Sequence, residues 1–582
     1  MTGAGAQGGG PSVGLIVDPR QRRSRFGPYA GEILRAEGIG DVQELELAGV
    51  TADALRRCGV VVLCSCGAVP GLPELLGAYV EEGGRLVLIR PAVELAPLAG
   101  LEPLHQARPG AGLLVDSTAP AFGAFPYEPI QIVGALDLYR PGAETRVLAR
   151  SVLGAWPVEA YPAIVERRAG RGQRGQVLSV LYDLPHTVAR LRQGDPELAE
   201  VDSDGLVGVR PSDAVQWQSE PRAGMIPQAE VHQALLARAV EWLSSRPLPR
   251  VWYLPGEAPS ILLLTGDLCT DRDDDWLLEE AALAERHGGT LAFYLNGETA
   301  FDQHKAARLI ARGHSLSIHP FAVPFSAVTM EATLARHVET FRARYGAEPR
   351  TVRHHRLQWL GWAEQAELER RHGLELDLNF TTTRPVRNGY LFGAGRPLRF
   401  VDEQGRLIDT WQQPTLFEDD LVLGDHEISL RVSTPEACAL YDQVLDESIA
   451  RWHSAVAVNL HPANYMRYSG AWGRHLVATA AARGVPIWNP QRWLDFTRAR
   501  DALRVRCTGA GGPRWRIDVP RGTPPAELTL LVPLRFGGQA LEEPAGGAEV
   551  EAWGWRYRVV PLRGAPAAFD IVYGGARGRA GQ

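Results

Sequence analysis

Four short polar groups in this chain could do chemistry together. Gly266-Asp267-Leu268-Cys269-Thr270-Asp271 closes the apolar run 260–265, His319 closes the run 314–318, Arg353-His354-His355-Arg356 follows Val352, and His461 follows the run 455–460. One carboxylate, two or three histidines and an arginine at successive strand ends suit a hydrolytic metal site. Zinc-type catalytic sites use three protein ligands and leave one position for water. Successive side chains on a strand point to opposite faces, so only one of His354 and His355 should face such a site. His314 stands where a strand begins and reads as structural. The acidic run Asp271-Arg272-Asp273-Asp274-Asp275 reads as a helix N-cap and first turn rather than a calcium loop.

The elements that must position these groups are legible as an alternation. Apolar strands are expected at 13–17, 60–64 and 85–90, with helices at 29–37 and 72–82 between them. Buried strands alternating with helices imply a parallel sheet covered on both faces. Residues 126–186 read as β-rich, and helix 228–243 closes that part. The proline-bearing stretch 244–249 reads as a linker. A second α/β run begins at Ser260, with helices at 273–286 and 302–311 and strands at 290–295, 314–319 and 455–460. Polar residues at the strand ends of such a run mark the functional face of an α/β barrel. From about residue 503 short strands with Gly/Pro turns suggest a small β-sandwich. The expected division is a disordered tail at 1–12, α/β domains at 13–247 and 255–500, and a β-sandwich at 503–576.

The segments LLLTGD at 262–267, GHSLSIH at 313–319, VRHH at 352–355 and VNLHP at 458–462 resemble the polysaccharide deacetylases, the NodB-homology or carbohydrate esterase family 4 group. The chain also resembles large bacterial proteins that join a glutamine-amidotransferase-like domain to such a deacetylase-like domain. The features carrying this are Thr265-Gly266-Asp267, Arg353 and His355 followed by Trp359 and Trp362, Gly405-Arg406-Leu407-Ile408-Asp409, and Asn459 with His461. The resemblance implies an α/β multidomain protein: a flavodoxin- or amidotransferase-like domain, a deacetylase-like (β/α) barrel and a small C-terminal β-sandwich. It implies a divalent metal, with zinc as the leading choice, and hydrolysis of an acetyl group on a carbohydrate. Asp267 matches the family's base. Leu268 stands where the family has a metal-binding aspartate, although Cys269 would take that role in a D-x-D variant. Val323 stands where the family has its second histidine, and His355 could replace it. The implied metal ligands are then Asp267, His319 and His355. Asp271 is a spare base, since Asp267 cannot easily be both base and metal anchor. His461 would protonate the leaving group, Arg353 would orient a carboxylate, and Trp359, Trp362 and Trp411 would offer flat faces to sugar rings.

The departures at Leu268 and Val323 keep two rivals open: a catalytically degenerate glycan-binding or scaffolding protein, and another metal-dependent amidohydrolase. In the N-terminal part Cys64 and Cys66 invite comparison with a nucleophile elbow. They follow the second strand rather than a late one, and the later His105 and His186 lack an acid at matching spacing. A non-catalytic domain is expected. The segment 190–213 reads as a loop held by Asx-turns and Arg–Asp pairs.

Composition narrows the partners. The chain has 61 Lys+Arg against 68 Asp+Glu, a net charge of −7, and Lys305 is its only lysine. An acidic chain is a poor nonspecific nucleic-acid binder, and a lone lysine disfavours amine-nucleophile chemistry. No apolar run is long enough to span a bilayer. Six cysteines in 582 residues make no disulfide framework, and no signal peptide is visible. The expected setting is cytoplasmic, with export or the cell envelope as the alternative, and the expected partner is a carbohydrate. Oligomeric state is not readable.

Overall fold

The computed structural model describes the chain apart from residues 1–9, 21–22, 123–124, 127, 153–159, 216–222, 270–273, 297–300, 384–388, 427, 521–526 and 575–582. The spare base Asp271 lies outside the described residues. The chain divides into two compact units. One comprises residues 1–188, 231–257 and 499–582, and the other residues 189–230 and 258–498.

The first unit contains a nine-stranded sheet. Its parallel part runs Val42–Glu46, Val13–Val17, Val60–Cys64, Arg85–Ile89, Gly175–Val180, and antiparallel strands then extend it through Pro162–Ala169 and Thr145–Val152. Val13–Val17 and Val60–Cys64 are buried along their whole length, which is why they read as continuous apolar runs. Val42–Glu46 is the exposed edge strand, and its sequence VQELE is polar. The strands after residue 503 form two sheets. A four-stranded one includes Arg250–Val251 from well upstream, and a five-stranded one begins with Arg506–Gly511.

The second unit is built on strands labelled here β1 (Ile261–Leu268), β2 (Ala292–Leu295), β3 (Ser315–Ile318), β4 (Thr351–Val352), β5 (Leu376–Asp377), β6 (Leu407–Gln412), β7 (Phe417–Glu418) and β8 (Ala455–Asn459). β1 is apolar and wholly buried, and lies between β2 and β8 in parallel register, with Thr265 opposite both Ala292 and Asn459. The parallel order continues from β2 through β3 and β4 to β5. The segment carrying β6 and β7 then turns the sheet back on itself. Trp411 pairs with Leu376 of β5, Thr415 bridges Thr381, and Phe417 and Glu418 pair with Val458 and Asn459 of β8. The C-terminal ends of β1, β3, β4, β7 and β8 are therefore drawn toward one another.

Helices between these strands carry ordinary start and stop signals. Asp302 caps helix Gln303–Ala311 by accepting from Lys305 N, and Ser326 caps Ala327–Tyr345, which ends at left-handed Gly346. Lys305 sits on the first of these helices, paired with Asp275 at 2.8 Å.

Candidate functional site

The end of β1 delivers Asp267, and Cys269 follows it. Each oxygen of the Asp267 carboxylate accepts one hydrogen bond within the protein. Oδ1 accepts from Arg353 Nη1 at 3.1 Å, and Oδ2 accepts from Asn459 Nδ2 at 3.0 Å. Arg353 is completely buried at the end of β4, where Nη1 also donates to Thr265 Oγ1 (2.8 Å) and Nη2 to Thr415 Oγ1 (2.9 Å). Its planar fork thus ties together the ends of β1, β4 and the closing segment. Burial by itself would raise the Asp267 pKa. The charge of Arg353 first, and that of His461, outweigh it and hold the group below the usual carboxylate range.

The alternation expected on β4 is realised. Arg353 faces inward. His354 faces away, its Nε2 meeting Glu369 Oε1 at 3.0 Å. His355 is brought back by a short turn in which Arg356 and Leu357 both adopt positive φ (57° and 54°), a strained pair of non-glycine residues. Its N–H donates to Pro320 O at 2.8 Å.

His319, next after β3, donates through Nδ1 to the Arg353 carbonyl oxygen at 2.8 Å. A carbonyl only accepts, so Nδ1 carries the proton and Nε2 presents a lone pair. That Nε2 lies 3.1 Å from His355 Nδ1 and 3.6 Å from Cys269 Sγ. Burial keeps both imidazoles neutral, at about 4 for His319 and about 3 for His355, where the neighbouring His319 adds to the effect. Two neutral imidazoles and a thiol with their ligand atoms within 4.8 Å of one another form a zinc-type donor set. Ligands about 2.0–2.3 Å from one tetrahedral ion stand roughly 3.3–3.6 Å apart, close to the separations found here. The residues therefore fit a zinc-class ion.

This set differs from the ligands expected from the sequence. His319 and His355 are together, and the thiol of Cys269, rather than the Asp267 carboxylate, groups with them. Asp267 Oδ2 is 3.8 Å from Nδ1 of His319, the protonated nitrogen on the other side of the ring, and both Asp267 oxygens already accept hydrogen bonds.

His461 follows β8. Its Nδ1 donates to Asp419 Oδ1 at 2.7 Å and its N–H to Asp419 Oδ2 at 3.2 Å, while Nε2 points inward, 4.0 Å from Glu418 Oε1. Burial would lower its pKa. Asp420 and Asp419 overcome that and hold the imidazole charged, well above its ordinary value. Asp419 is fixed in turn by Ser469 Oγ at 2.7 Å and Asn464 Nδ2 at 3.3 Å. Glu418, Asp419 and Asp420 at the end of β7 did not emerge from the sequence. The signal was there, a carboxylate run closing an apolar strand end, as at Asp267. Glu418 and Glu280 are buried, and their pKa values are raised well above normal, by burial first and then by neighbouring carboxylates. Among the described residues neither Glu280 oxygen has a hydrogen-bond partner.

The three tryptophans are elsewhere. Trp359 is 3% exposed and stacks on Phe400 (centroids 5.4 Å) with Phe380 at its edge. Trp362 is buried and donates to Gly194 O at 3.1 Å, and Trp411 is buried with Arg399 over its ring at 4.0 Å. The i,i+3 spacing of Trp359 and Trp362 serves the core, and none of the three rings offers a free face to a sugar. The segment 190–213 begins as the end of helix Leu184–Gln193 and continues as a loop with short turns at Pro196–Leu198 and Pro211–Ala214. Buried Arg210 gathers Asp202, Asp204 and Asp213, so that acidic triad is filled by a guanidinium. In the first unit Cys64 and Cys66 are buried thiols, Cys64 pushed up by burial and Cys66 to about 12. Thiols so held are poor nucleophiles.

No protein-family model matches the chain, and no curated protein matches it. Among solved structures it is similar to a candidate polysaccharide deacetylase from Mycobacterium smegmatis, with 15% identity and a TM-score of 0.35, over 43% of this chain and 94% of that one. It is similar to a family 4 carbohydrate esterase from Streptomyces lividans solved with acetate, with 14% identity and a TM-score of 0.25, over 40% and 92%. It is also similar to a pseudoenzyme of the CE4 family from Bacillus anthracis, with 13% identity and a TM-score of 0.27, over 40% and 65%. All three likenesses are weak in score, and they include a protein described as lacking activity.

Proposed function

We propose that the second unit is a metal-dependent hydrolase that removes an acetyl group from an amide nitrogen, with an acetylated amino sugar as the substrate class. One observation carries this reading: an ionised carboxylate (Asp267) and a charged imidazole (His461) stand beside the donor set Cys269, His319 and His355 at neighbouring strand ends. A divalent ion held by those three residues would polarise the acyl carbonyl and make water more acidic. Asp267 receives the proton of the attacking water as its oxygen bonds to the acyl carbon. His461 gives its proton to the nitrogen as the C–N bond breaks, and Asp419 holds the imidazole in place for that transfer. Arg353 and Asn459 aim the Asp267 carboxylate.

The surrounding architecture is read to match. The curled sheet of the second unit supports a (β/α) barrel of the deacetylase kind. The parallel strand order in the first unit, 2-1-3-4 followed by Gly175–Val180, supports a flavodoxin-like domain. The two small sheets after residue 503 support the sandwich reading.

The decisive experiment is metal analysis together with acetate release. The protein loaded with zinc, cobalt or nickel is expected to retain about one ion per chain and to release acetate from chitooligosaccharides or peptidoglycan fragments, whose acetyl groups are amides. Retained metal without acetate release would point to another amidohydrolase. A second reading is favoured by the hydrogen bonds to both Asp267 oxygens: a degenerate, glycan-binding chain in which Asp267 only locks Arg353 and Asn459. That protein would neither retain metal nor gain thermal stability from zinc.

A further inference from the structure

The first unit carries a cleft of about 1130 Å³ unconnected with the chemistry above. Six arginines line it, Arg85, Arg168, Arg174, Arg535, Arg556 and Arg558, against two carboxylates, Glu241 and Glu549. Both carboxylates are already engaged. Glu241 is buried, pairs with Arg238 and Arg250 and accepts from Tyr557. Glu549 pairs with Arg556 at 2.5 Å and Arg558 at 3.0 Å. Among the described residues no carboxylate lies within ion-pair distance of Arg85, Arg168, Arg174 or Arg535. Arg85 meets only the neutral Gln176 side chain. It is also half-buried, and its pKa is lowered by burial and by the like charge of Arg168.

Four cations at one cleft, none with a carboxylate partner among the described residues, make a positive field that attracts an anion. Guanidinium groups spread around a cleft hold carboxylates or phosphates through paired hydrogen bonds, and the thymidylate arm of the test below separates the two. The cleft also exposes rings. Trp242 and Trp555 line it as an edge-to-face pair with centroids 6.3 Å apart, and Phe536 borders Arg535. Arg238 covers one face of Trp555 at 3.9 Å, and Trp242, Trp555 and Phe536 are each partly exposed, so their remaining apolar surface between guanidinium groups suits a ligand that alternates apolar patches with negative charges. A sugar chain bearing carboxylates has that pattern.

We propose that this cleft binds an acidic saccharide, a glycan chain carrying uronate groups, with Arg168, Arg174 and Arg535 as the primary carboxylate contacts. The site lies wholly within the first unit, so it stands or falls independently of the hydrolase reading.

The test is calorimetric titration of the full chain with a galacturonate hexamer, a neutral chitin hexamer and a thymidylate hexamer, at low and high salt. The galacturonate is expected to bind about tenfold tighter than the chitin hexamer or better, and to weaken as salt rises. The triple variant R168A/R174A/R535A, whose changes fall on exposed side chains, is expected to lose that binding at least tenfold while keeping its melting temperature and any acetate release. Equal binding of the neutral and acidic hexamers would overturn the proposal. So would undiminished binding by a folded triple variant, or tighter binding of the thymidylate.

Discussion

Asp267 and His461 are pushed in opposite directions from their ordinary values, a divergence that fits the proposed roles of base and acid. Asp267 is held low, so it is ionised at every pH above the acid range, and His461 is held high, so it keeps its proton through neutrality. Base and acid are thus both in their working states across a broad neutral plateau. The alkaline limb of kcat/KM should report loss of the His461 proton. Asp419 is the neighbour that hydrogen-bonds that imidazole, at 2.7 Å. In D419N the anion is gone while the shape is kept. The alkaline limb is then expected to move to lower pH by one unit or more, with a smaller change in KM than in kcat. An unmoved limb in D419N would remove His461 from the acid role. D267N is expected to lower kcat by about 10²–10⁴, the range of a lost general base, measured on the same acetylated oligosaccharide. The polar residues of the site were legible because they sit directly after apolar strands. Cys269 was visible only as a variant of the acidic pattern. The Asp419 partner was hidden because nothing local in 417–420 shows that β7 lies beside β8.

At the scale of elements, the long apolar strands announced themselves, while β4 and β5, two residues each, carry no readable pattern. They exist because their neighbours supply hydrogen-bond partners, a tertiary cause that local propensity does not record. The polar edge strand Val42–Glu46 was missed for the opposite reason: it buries too little to show alternation. The burial of the tryptophans was not legible because spacing gives a face but not what covers it, and Phe380 and Phe400, which cover Trp359, come from distant segments. One position of β1 makes the packing demand explicit. A Cβ on Gly266 would stand 2.9 Å from Leu460 O and 3.0 Å from the Glu280 carboxyl. The first contact is backbone of the segment that presents His461, and it cannot yield without moving that segment. G266A is therefore expected to destabilise by about 1–3 kcal/mol and to abolish acetate release, with the far-ultraviolet spectrum retained. Burial pushes the Glu280 pKa well above its ordinary value, so E280Q, a neutral amide of the same shape, is expected to melt close to the parent. A G266A protein that melts and turns over as the parent does would show that β1 and the His461 segment are less tightly coupled than their contacts indicate.

Across the whole molecule the six cysteines provide an internal reporter of the metal site that does not depend on turnover. Cys58, Cys64, Cys66 and Cys507 are buried, and only Cys269 and Cys438 are partly exposed. Reaction with a thiol reagent requires access and a thiolate fraction. Burial raises the pKa of the two accessible thiols as well, so their labelling should be slow but distinct from that of the buried four. In the native chain stripped of metal, two thiols are expected to react, and all six in denaturant. If Cys269 is the third donor with His319 and His355, saturating zinc must deprotonate and occupy its sulfur, leaving Cys438 as the single reactive thiol. H319A or H355A, by removing an imidazole from the set, should restore labelling of Cys269 in the presence of zinc. Calcium, which prefers oxygen ligands, should protect nothing. Peptide mapping of the labelled position separates this outcome from a general tightening of the fold, because Cys438 lies on helix Thr434–Glu447 and contributes no ligand. Unchanged labelling of Cys269 in zinc would exclude the cysteine–histidine centre, whatever activity the chain shows.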